Sequence, residues 1–186
     1  MKIHILGASG SGTTSLGKAL AERFQLTHFD SDDYYWQKTD PPFRQKNSVE
    51  DRHKSLLGDM AGLVGWILSG SMDSWSDPFR PLFDAVLYIQ SDANNRVKRL
   101  REREFGEYGD RVKEGGDMFD EHESFIKWAY QYDKGELDGR SRKRHQEWMK
   151  TLNCPILSIR NDGVFEEMKT EAINWLLEVA SHSSSG

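Results

Sequence analysis

The architecture of this chain follows from its opening residues, KIHILGASGSGTTS, at positions 2–15. The apolar run before Gly7 predicts a buried strand, the closely spaced glycines predict a tight loop, and the apolar periodicity after Ser15 predicts a helix. Glycine accepts positive φ and lets the backbone approach a ligand, so successive N–H groups converge on one anion at the positive end of the helix. The stretch therefore predicts a phosphate-binding loop. The residues predicted to bind nucleotide phosphates are Gly7, Ser9, Gly10, Ser11, Gly12, Thr13, Thr14 and Ser15.

The loop departs at one position from the general pattern G-x-x-x-x-G-K-[ST]. Gly7, Gly12 and Thr14 match the pattern, whereas Thr13 stands where the pattern has lysine. That lysine normally offsets charge on the β- and γ-phosphates, so another cation must do so here. The hydroxyl of Thr14 stands where such a loop holds Mg²⁺, which makes Thr14 a predicted metal ligand.

The composition is that of a globular protein, with 37% hydrophobic and 30% charged residues among 186. The net charge of -5 gives no reason to expect nucleic-acid or membrane binding. The single cysteine, Cys154, excludes an internal disulfide and a cysteine-based zinc site. No apolar run approaches the roughly 18 residues of a membrane span, and no signal peptide is recognisable. We therefore expect one cytoplasmic domain, as a monomer or a homodimer.

Strand-like and helix-like segments alternate along the chain, which predicts a parallel α/β sheet with ligands at the carboxyl ends of its strands. Residues 105–145 differ, because they are crowded with charged, glycine and aromatic residues and contain no run suited to a strand. We expect residues 1–104 and 146–181 to form the core, residues 105–145 to be an insertion, and residues 182–186 to fray. The predicted strands are 2–6, 27–30, 65–69, 85–89 and 155–159, and the later helices 49–60, 92–105 and 164–180, with Asp92 as an N-cap.

An acidic cluster, Asp30-Ser31-Asp32-Asp33, follows the second predicted strand. Carboxylates beside a triphosphate would repel it unless Mg²⁺ lies between them, so Asp30 is a predicted metal partner. Asp32 is suited to accept the proton of a substrate hydroxyl as that oxygen attacks the γ-phosphorus. The alternative is a helix cap followed by solvated acids, since aspartate also favours turns.

Two groups of three arginines flank the polar segment. The first lies on one side of the helix after the fourth strand, opposite a stripe predicted to be buried, Ala93, Val97 and Leu100. Guanidinium groups brought together from both ends of the segment would clamp phosphate and replace the charge that Thr13 does not supply. A surface helix with many salt bridges is the alternative, because glutamates are interleaved. The two groups are Arg96, Arg99 and Arg103, and Arg140, Arg142 and Arg144.

Ring side chains are further candidates, because they could form a stacking wall for a planar substrate. Tyr35 and Trp75 are kept as substrate contacts, with core packing as the alternative. Arg44 lies in the same ring-rich loop, residues 34–47. Asn161, after the fifth strand, belongs to a turn that could also contact a base. The six histidines show no metal-ligand spacing. The aromatic residues considered are Tyr34, Tyr35, Trp36, Trp75 and Trp128.

These motifs resemble the small P-loop kinases of the adenylate kinase and shikimate kinase group over nearly the whole chain. Residues 99–103 and 141–144 are similar to the entry and exit of the adenylate kinase lid, and residues 161–163 to its adenine loop. Residues 29–32 and Gly70-Ser71 look more like shikimate kinases, and the Asp-Gly-Phe-Pro-Arg of adenylate kinases is absent. The loop Gly-Ser-Gly-Thr-Thr resembles that of archaeal-type cytidylate kinases. The closest likeness is to bacterial adenylate kinase-like P-loop ATPases, including some called topology modulation proteins.

The resemblance implies a three-layer P-loop NTPase fold, with a five-stranded parallel sheet in the order 2-3-1-4-5 flanked by helices and residues 105–145 as a helical lid. It implies Mg²⁺-dependent transfer of the ATP γ-phosphoryl group to a small acceptor, favoured as a nucleoside monophosphate or related nucleotide. A hydroxyl acceptor, as in shikimate or gluconate kinases, and a nucleotide-binding regulator without transferase activity are the alternatives. The implied residues are Asp32, Arg99, Arg103 and Arg142 for catalysis, Thr14 and Asp30 for the metal, Asn161 for the nucleotide, and Asp32, Tyr35, Arg44, Gly70, Ser71 and Trp75 for the acceptor.

Overall fold

A five-stranded parallel sheet in the order β2-β3-β1-β4-β5 forms the centre of the computed structural model, which describes residues 1–135 and 139–183. Neighbouring strands pair in parallel throughout the sheet. The predicted fold class and strand order are confirmed, and each strand lies within one residue of its predicted bounds. The strands are β1 (Lys2–Gly7), β2 (Thr27–Asp30), β3 (Trp66–Ser69), β4 (Ala85–Gln90) and β5 (Ile156–Arg160).

Helices alternate with the strands, and two of their ends show how side chains fix local structure. Asp92 caps α4 by accepting a hydrogen bond from the Asn94 N–H at 2.8 Å, as predicted, and the helix then runs past the predicted residue 105. Asp30 caps α2 through the Asp32 N–H at 3.1 Å, so the helix cap given as the alternative interpretation of the acidic cluster is present. The helices are α1 (Thr13–Phe24), α2 (Ser31–Tyr35), α3 (Val49–Met60), α4 (Ala93–Tyr108), α5 (Phe119–Tyr130), α6 (Arg142–Met149) and α7 (Phe165–Ser183).

The sheet carries a hydrophobic core on each face, which makes three layers. On one face, α1 and α7 cover the strands, and Met168, Ala172 and Leu176 of α7 are buried there. On the other face, α3 and the side chains of Phe79, Phe83 and Trp148 cover the strands. Both faces of the sheet are therefore buried, as a parallel sheet requires, and ligands can approach only at the strand ends.

Helix α5 packs against α4 through a small separate cluster made by Leu100, Ile126 and Ala129. Arg96 of α4 is fully buried, which corrects the prediction that it lies on an exposed side with Arg99 and Arg103. Its guanidinium donates to Asp133 at 2.7 Å and lies 5.2 Å from the ring centroid of Tyr132. A carboxylate 37 residues further along the chain thus holds the buried Arg96 side chain on the inward side of α4.

Two predictions concern the surface of the chain and its end. None of the helices within the described ranges is long and apolar enough to cross a membrane. Helix α7 reaches residue 183, and residues 184–186 of the segment predicted to fray lie outside the described residues.

Candidate active site

A cleft of about 660 Å³ lies at the carboxyl ends of β1, β2 and β3. The phosphate-binding loop forms one end, and residues from α4, α5 and positions 139–144 close over it. Segments 35–46 and 70–74 form the remaining sides. This volume suits a ligand of drug or nucleotide size, so the cleft is the candidate active site.

The phosphate-binding loop owes its shape to glycines and to an amide behind it. Gly10 and Gly12 have φ of 78° and 99°, where residues with a Cβ are strained. The side chain of Asn161 donates to the Ser11 carbonyl at 2.7 Å, so this amide supports the loop from outside the cleft. The hydroxyl of Ser11 is buried, and Ser15 is exposed and lies outside the lining of the cleft, so their predicted role as phosphate contacts concerns their backbone N–H groups and stays a prediction. The loop residues that line the cleft are Gly7, Ala8, Ser9, Gly10, Thr13 and Thr14.

The two predicted metal partners are hydrogen-bonded to each other. The hydroxyl of Thr14 donates to the Asp30 carboxylate at 2.7 Å, and the hydroxyl of Ser69 donates to the same carboxylate oxygen at 3.3 Å. Both Thr14 and Asp30 line the cleft. Hydroxyl and carboxylate oxygens suit Mg²⁺, which takes few protein ligands and completes its shell with phosphates and water. Across the described ranges no group of three or more His, Cys, Asp and Glu side chains could hold a metal by itself.

Asp32 lies in the same cleft, on the first turn of α2. Its carboxylate is accessible to solvent, yet the surrounding protein desolvates it, and this desolvation raises its pKa above the ordinary aspartate value. Asp30 raises the pKa further, whereas Arg140 and Arg103 oppose the shift. Asp32 is therefore a stronger base than a solvated aspartate, which is what proton abstraction requires.

The arginines that reach the cleft differ from those predicted. Arg103 lines it as expected, but Arg99 donates to the Asn161 carbonyl at 2.9 Å and lies outside the lining. Arg142 is also outside and pairs with Asp133 at 2.7 Å. Arg140, two residues earlier, lines the cleft and donates to the Ser9 hydroxyl at 3.2 Å. The structure thus brings Arg140, and not Arg142, to the loop that lacks a lysine.

The predicted acceptor contacts divide in a similar way. Tyr35, Arg44, Gly70 and Ser71 all line the cleft. Trp75 does not, because it is 3% exposed and packs in the core, so the core interpretation applies to it. The hydroxyl of Ser71 is held between Asp73 at 2.7 Å and His145 at 2.8 Å, and Tyr132 binds the far nitrogen of His145 at 2.9 Å.

Several lining residues were not predicted to belong to the site. Met118, the N-cap of α5, and His122 and Phe125 within that helix are spaced i, i+4 and i+7, so one face of α5 and its cap line the cleft. That spacing was visible in the sequence, but nothing local indicates whether such a face meets a ligand or a core. Trp36 and Trp128 were considered as stacking residues and not retained, although both line the cleft. The remaining unpredicted lining residues include Phe43, Glu104, Tyr108 and Glu121, whereas Arg144 belongs to the second predicted arginine group and also lines the cleft.

Sequence comparison places the chain in a family. YqaC of Bacillus subtilis (strain 168), a protein described as uncharacterized, is 40% identical over 174 residues, which is 94% of this chain and 96% of YqaC. The chain belongs to the YqaC family. No protein-family model matches it.

Solved structures that resemble this YqaC-family chain carry the P-loop kinase fold. A gluconokinase from Sinorhizobium meliloti 1021 matches with a TM-score of 0.54 and 15% identity, over 98% of this chain and 95% of its own. A shikimate kinase from Bacteroides thetaiotaomicron matches with a TM-score of 0.55 and 18% identity, over 96% of this chain and 98% of its own. A shikimate kinase from Acinetobacter baumannii, in complex with shikimate, matches with a TM-score of 0.55 and 15% identity, over 95% of this chain and 93% of its own. At these identities the likeness establishes the fold.

Proposed function

We propose that this protein transfers the γ-phosphoryl group of ATP to a hydroxyl group of a small acceptor. One observation carries the proposal: a phosphate-binding loop and a desolvated carboxylate, Asp32, line the same cleft. Resemblance to gluconokinase and shikimate kinase folds supports it, since those proteins share this arrangement of strands.

The loop N–H groups and Arg140 would bind the phosphates. Arg140 already reaches the loop at Ser9, so its guanidinium is in place to supply the charge that Thr13 does not. Thr14 and Asp30 would hold magnesium, which supplies charge neutralisation on the phosphate oxygens. Arg103 would add a second cation at the far side of the cleft.

Asp32 would accept the proton that leaves the acceptor. As the acceptor oxygen bonds to the γ-phosphorus, the bond from that phosphorus to the β,γ-bridging oxygen breaks and ADP leaves. The proton of the acceptor hydroxyl passes to the carboxylate of Asp32, so atoms and charge balance. The raised pKa of Asp32 improves it as a base, as long as the pH stays above that pKa.

Residues 105–145 would act as the lid. Two ion pairs already join this segment to the opposite side of the cleft, Arg44 with Glu121 at 2.6 Å and Asp40 with Arg111 at 2.8 Å. A closed lid excludes water, which would otherwise compete as the acceptor.

A nucleotide with a phosphate acceptor, such as a nucleoside monophosphate, is the second candidate. The arginines of the cleft favour it, because guanidinium groups bind phosphate. Such a transfer needs no base, and Asp32 would then have no role in the chemistry.

The Asp32→Asn variant separates these candidates. With a hydroxyl acceptor, we expect turnover to fall by about 10²-fold or more while ATP affinity is kept, as for loss of a general base. With a phosphate acceptor, turnover should stay near that of the unmodified protein. The measurement combines ADP release over a panel of acceptors, product identification by mass, and ATP affinity by calorimetry. If ATP binds but no acceptor yields a product, the transferase proposal fails and a nucleotide-binding regulator remains.

A further inference from the structure

Two sets of aromatic side chains line the part of the cleft beyond the phosphate-binding loop, here called the acceptor chamber and bounded by residues 35–46, 70–74, α4 and α5. On one side, Trp36 makes edge contacts with Tyr35 and Phe43, with ring centroids 4.9 and 5.9 Å apart. On the other, Phe125 and Trp128 are stacked at 6.0 Å. Ion pairs between residues 40–44 and 111–121 join the two sides across the entrance. Ring faces at such a site favour a planar ligand.

Three arginines of the acceptor chamber are each paired with a carboxylate. Arg44 pairs with Glu121 at 2.6 Å, Arg103 with Glu104 at 3.3 Å, and Arg144 with Asp73. The ammonium of Lys46 lies 5.5 and 5.8 Å from the ring centroids of Tyr35 and Trp36. The three arginines therefore offer an anionic acceptor little net attraction, because it would have to displace a carboxylate from each one.

Lys46, Arg140 and Asp32 are the exceptions. Within the part of the chain that the structure describes, none of the three has an ion-pair partner within 4.0 Å, and the ammonium of Lys46 lies against ring faces instead. Arg140 is directed to Ser9 of the phosphate-binding loop, where a donor phosphate would lie. The carboxylate of Asp32 is available to accept a hydrogen bond from a hydroxyl of the acceptor.

We infer that the acceptor is an uncharged planar molecule that carries a hydroxyl group, held between the two aromatic sides of the chamber with that hydroxyl against Asp32. This inference rests on the proposed transfer from ATP and specifies its second substrate. The reaction is the one balanced above, with the planar molecule supplying the attacking oxygen. A sugar acid or a nucleoside monophosphate does not fit this class, because each carries an anionic group and the acceptor is inferred to be uncharged.

Matched acceptors test the charge condition. The probes are adenosine, guanosine, cytidine, uridine and pyridoxine, set against the 5′-monophosphates of the four nucleosides, gluconate and shikimate, each with ATP and Mg²⁺. We expect phosphorylated product from at least one neutral planar probe, with kcat/KM at least about tenfold above that of its phosphorylated counterpart. Product from the anionic probes alone overturns the acceptor class and leaves the transfer reaction standing. Absence of product from every probe, with ATP bound, overturns the transfer and this inference together.

A matched pair of substitutions tests the aromatic condition. Phe43 and Phe105 are both 48% exposed, but only Phe43 lines the chamber. Phe43→Leu should raise KM for the planar acceptor by about tenfold and leave KM for ATP unchanged, as loss of a ring contact does. Phe105→Leu should change neither constant. If Phe43→Leu raises KM for ATP instead, the rings hold the donor base and the inference is wrong. Equal effects of the two substitutions also overturn it.

Discussion

Replacing Arg140 by alanine tests how the phosphate-binding loop works without its lysine. The guanidinium of Arg140 lies 3.2 Å from the Ser9 hydroxyl, so a phosphate in the loop would come within its reach. A hydrogen bond to a charged group contributes about 1.5–3 kcal/mol. At about 1.4 kcal/mol for each factor of ten, Arg140→Ala should weaken binding of AMP-PNP with Mg²⁺ by about 10- to 150-fold. Isothermal titration calorimetry measures this loss independently of any acceptor.

The double variant sharpens the test, because it returns the missing cation to the loop. Thr13 lines the cleft at the first position of α1, so Thr13→Lys in the Arg140→Ala background should restore affinity to within about tenfold of the unmodified protein. Arg142→Ala is the matched control, since Arg142 pairs with Asp133 outside the cleft, and it should keep affinity within about threefold. The reasoning is refuted if Arg140→Ala binds AMP-PNP as tightly as the unmodified protein, or if Arg142→Ala is the more damaging change.

Three further predictions concern stability. Desolvation by the surrounding protein raises the pKa of Asp32, so the folded protein binds this proton more tightly than the unfolded chain does, and the ionised carboxylate destabilises the fold at pH 7. Asp32→Asn should therefore raise the Tm of the ligand-free protein in a thermal melt, and a lower Tm would contradict this. Burial lowers the pKa of His4 to about 4 and of His145 to about 3, so below about pH 6.5 the unfolded chain binds protons that the folded protein does not. The free energy of unfolding, and with it the urea midpoint, should therefore fall steadily from pH 6.5 towards pH 4. A midpoint that stays constant down to pH 5 would contradict this. Gly10→Ala should lower the free energy of unfolding by about 1–3 kcal/mol and abolish ATP binding, because the added Cβ would lie 2.6 Å from a carbonyl of α4 and the residue has a φ of 78°. Gly106→Ala is the control, since an added Cβ there meets nothing within 4 Å, and it should be neutral or stabilising. Equal urea midpoints for the two variants would be inconsistent with this.

The sheet could be predicted because its determinants are local. Each strand is a short, largely apolar run that ends at or just before a polar residue or glycine, and the N-cap of α4 is a single aspartate before a periodic segment. Thr14, Asp30 and Asp32 could be placed near one another because all the strands of a parallel sheet have their carboxyl ends at the same edge.

The other side of the site could not be predicted, because it depends on contacts distant in sequence. Arg96 and Arg142 both bind Asp133, and these bonds turn both arginines away from the cleft. Helical periodicity assigns a residue to a face but does not say which faces meet, so Arg140 and Arg142 could not be distinguished. Trp75 and Trp128 present the same ambiguity, since an aromatic side chain suits a core and a ligand site equally well.

The entrance to the cleft depends on interactions that salt weakens. Both ion pairs across it are exposed, with side-chain accessibilities of 46% and 54% for Arg44 and Glu121 and of 38% and 80% for Arg111 and Asp40. Pairs of this kind contribute about 0–1 kcal/mol each, so together they favour the shut entrance by no more than roughly thirtyfold. Raising the ionic strength therefore weakens the two ion pairs at the entrance more than it weakens packing in the apolar core. The rate of substrate entry should accordingly depend on salt more strongly than the Tm does.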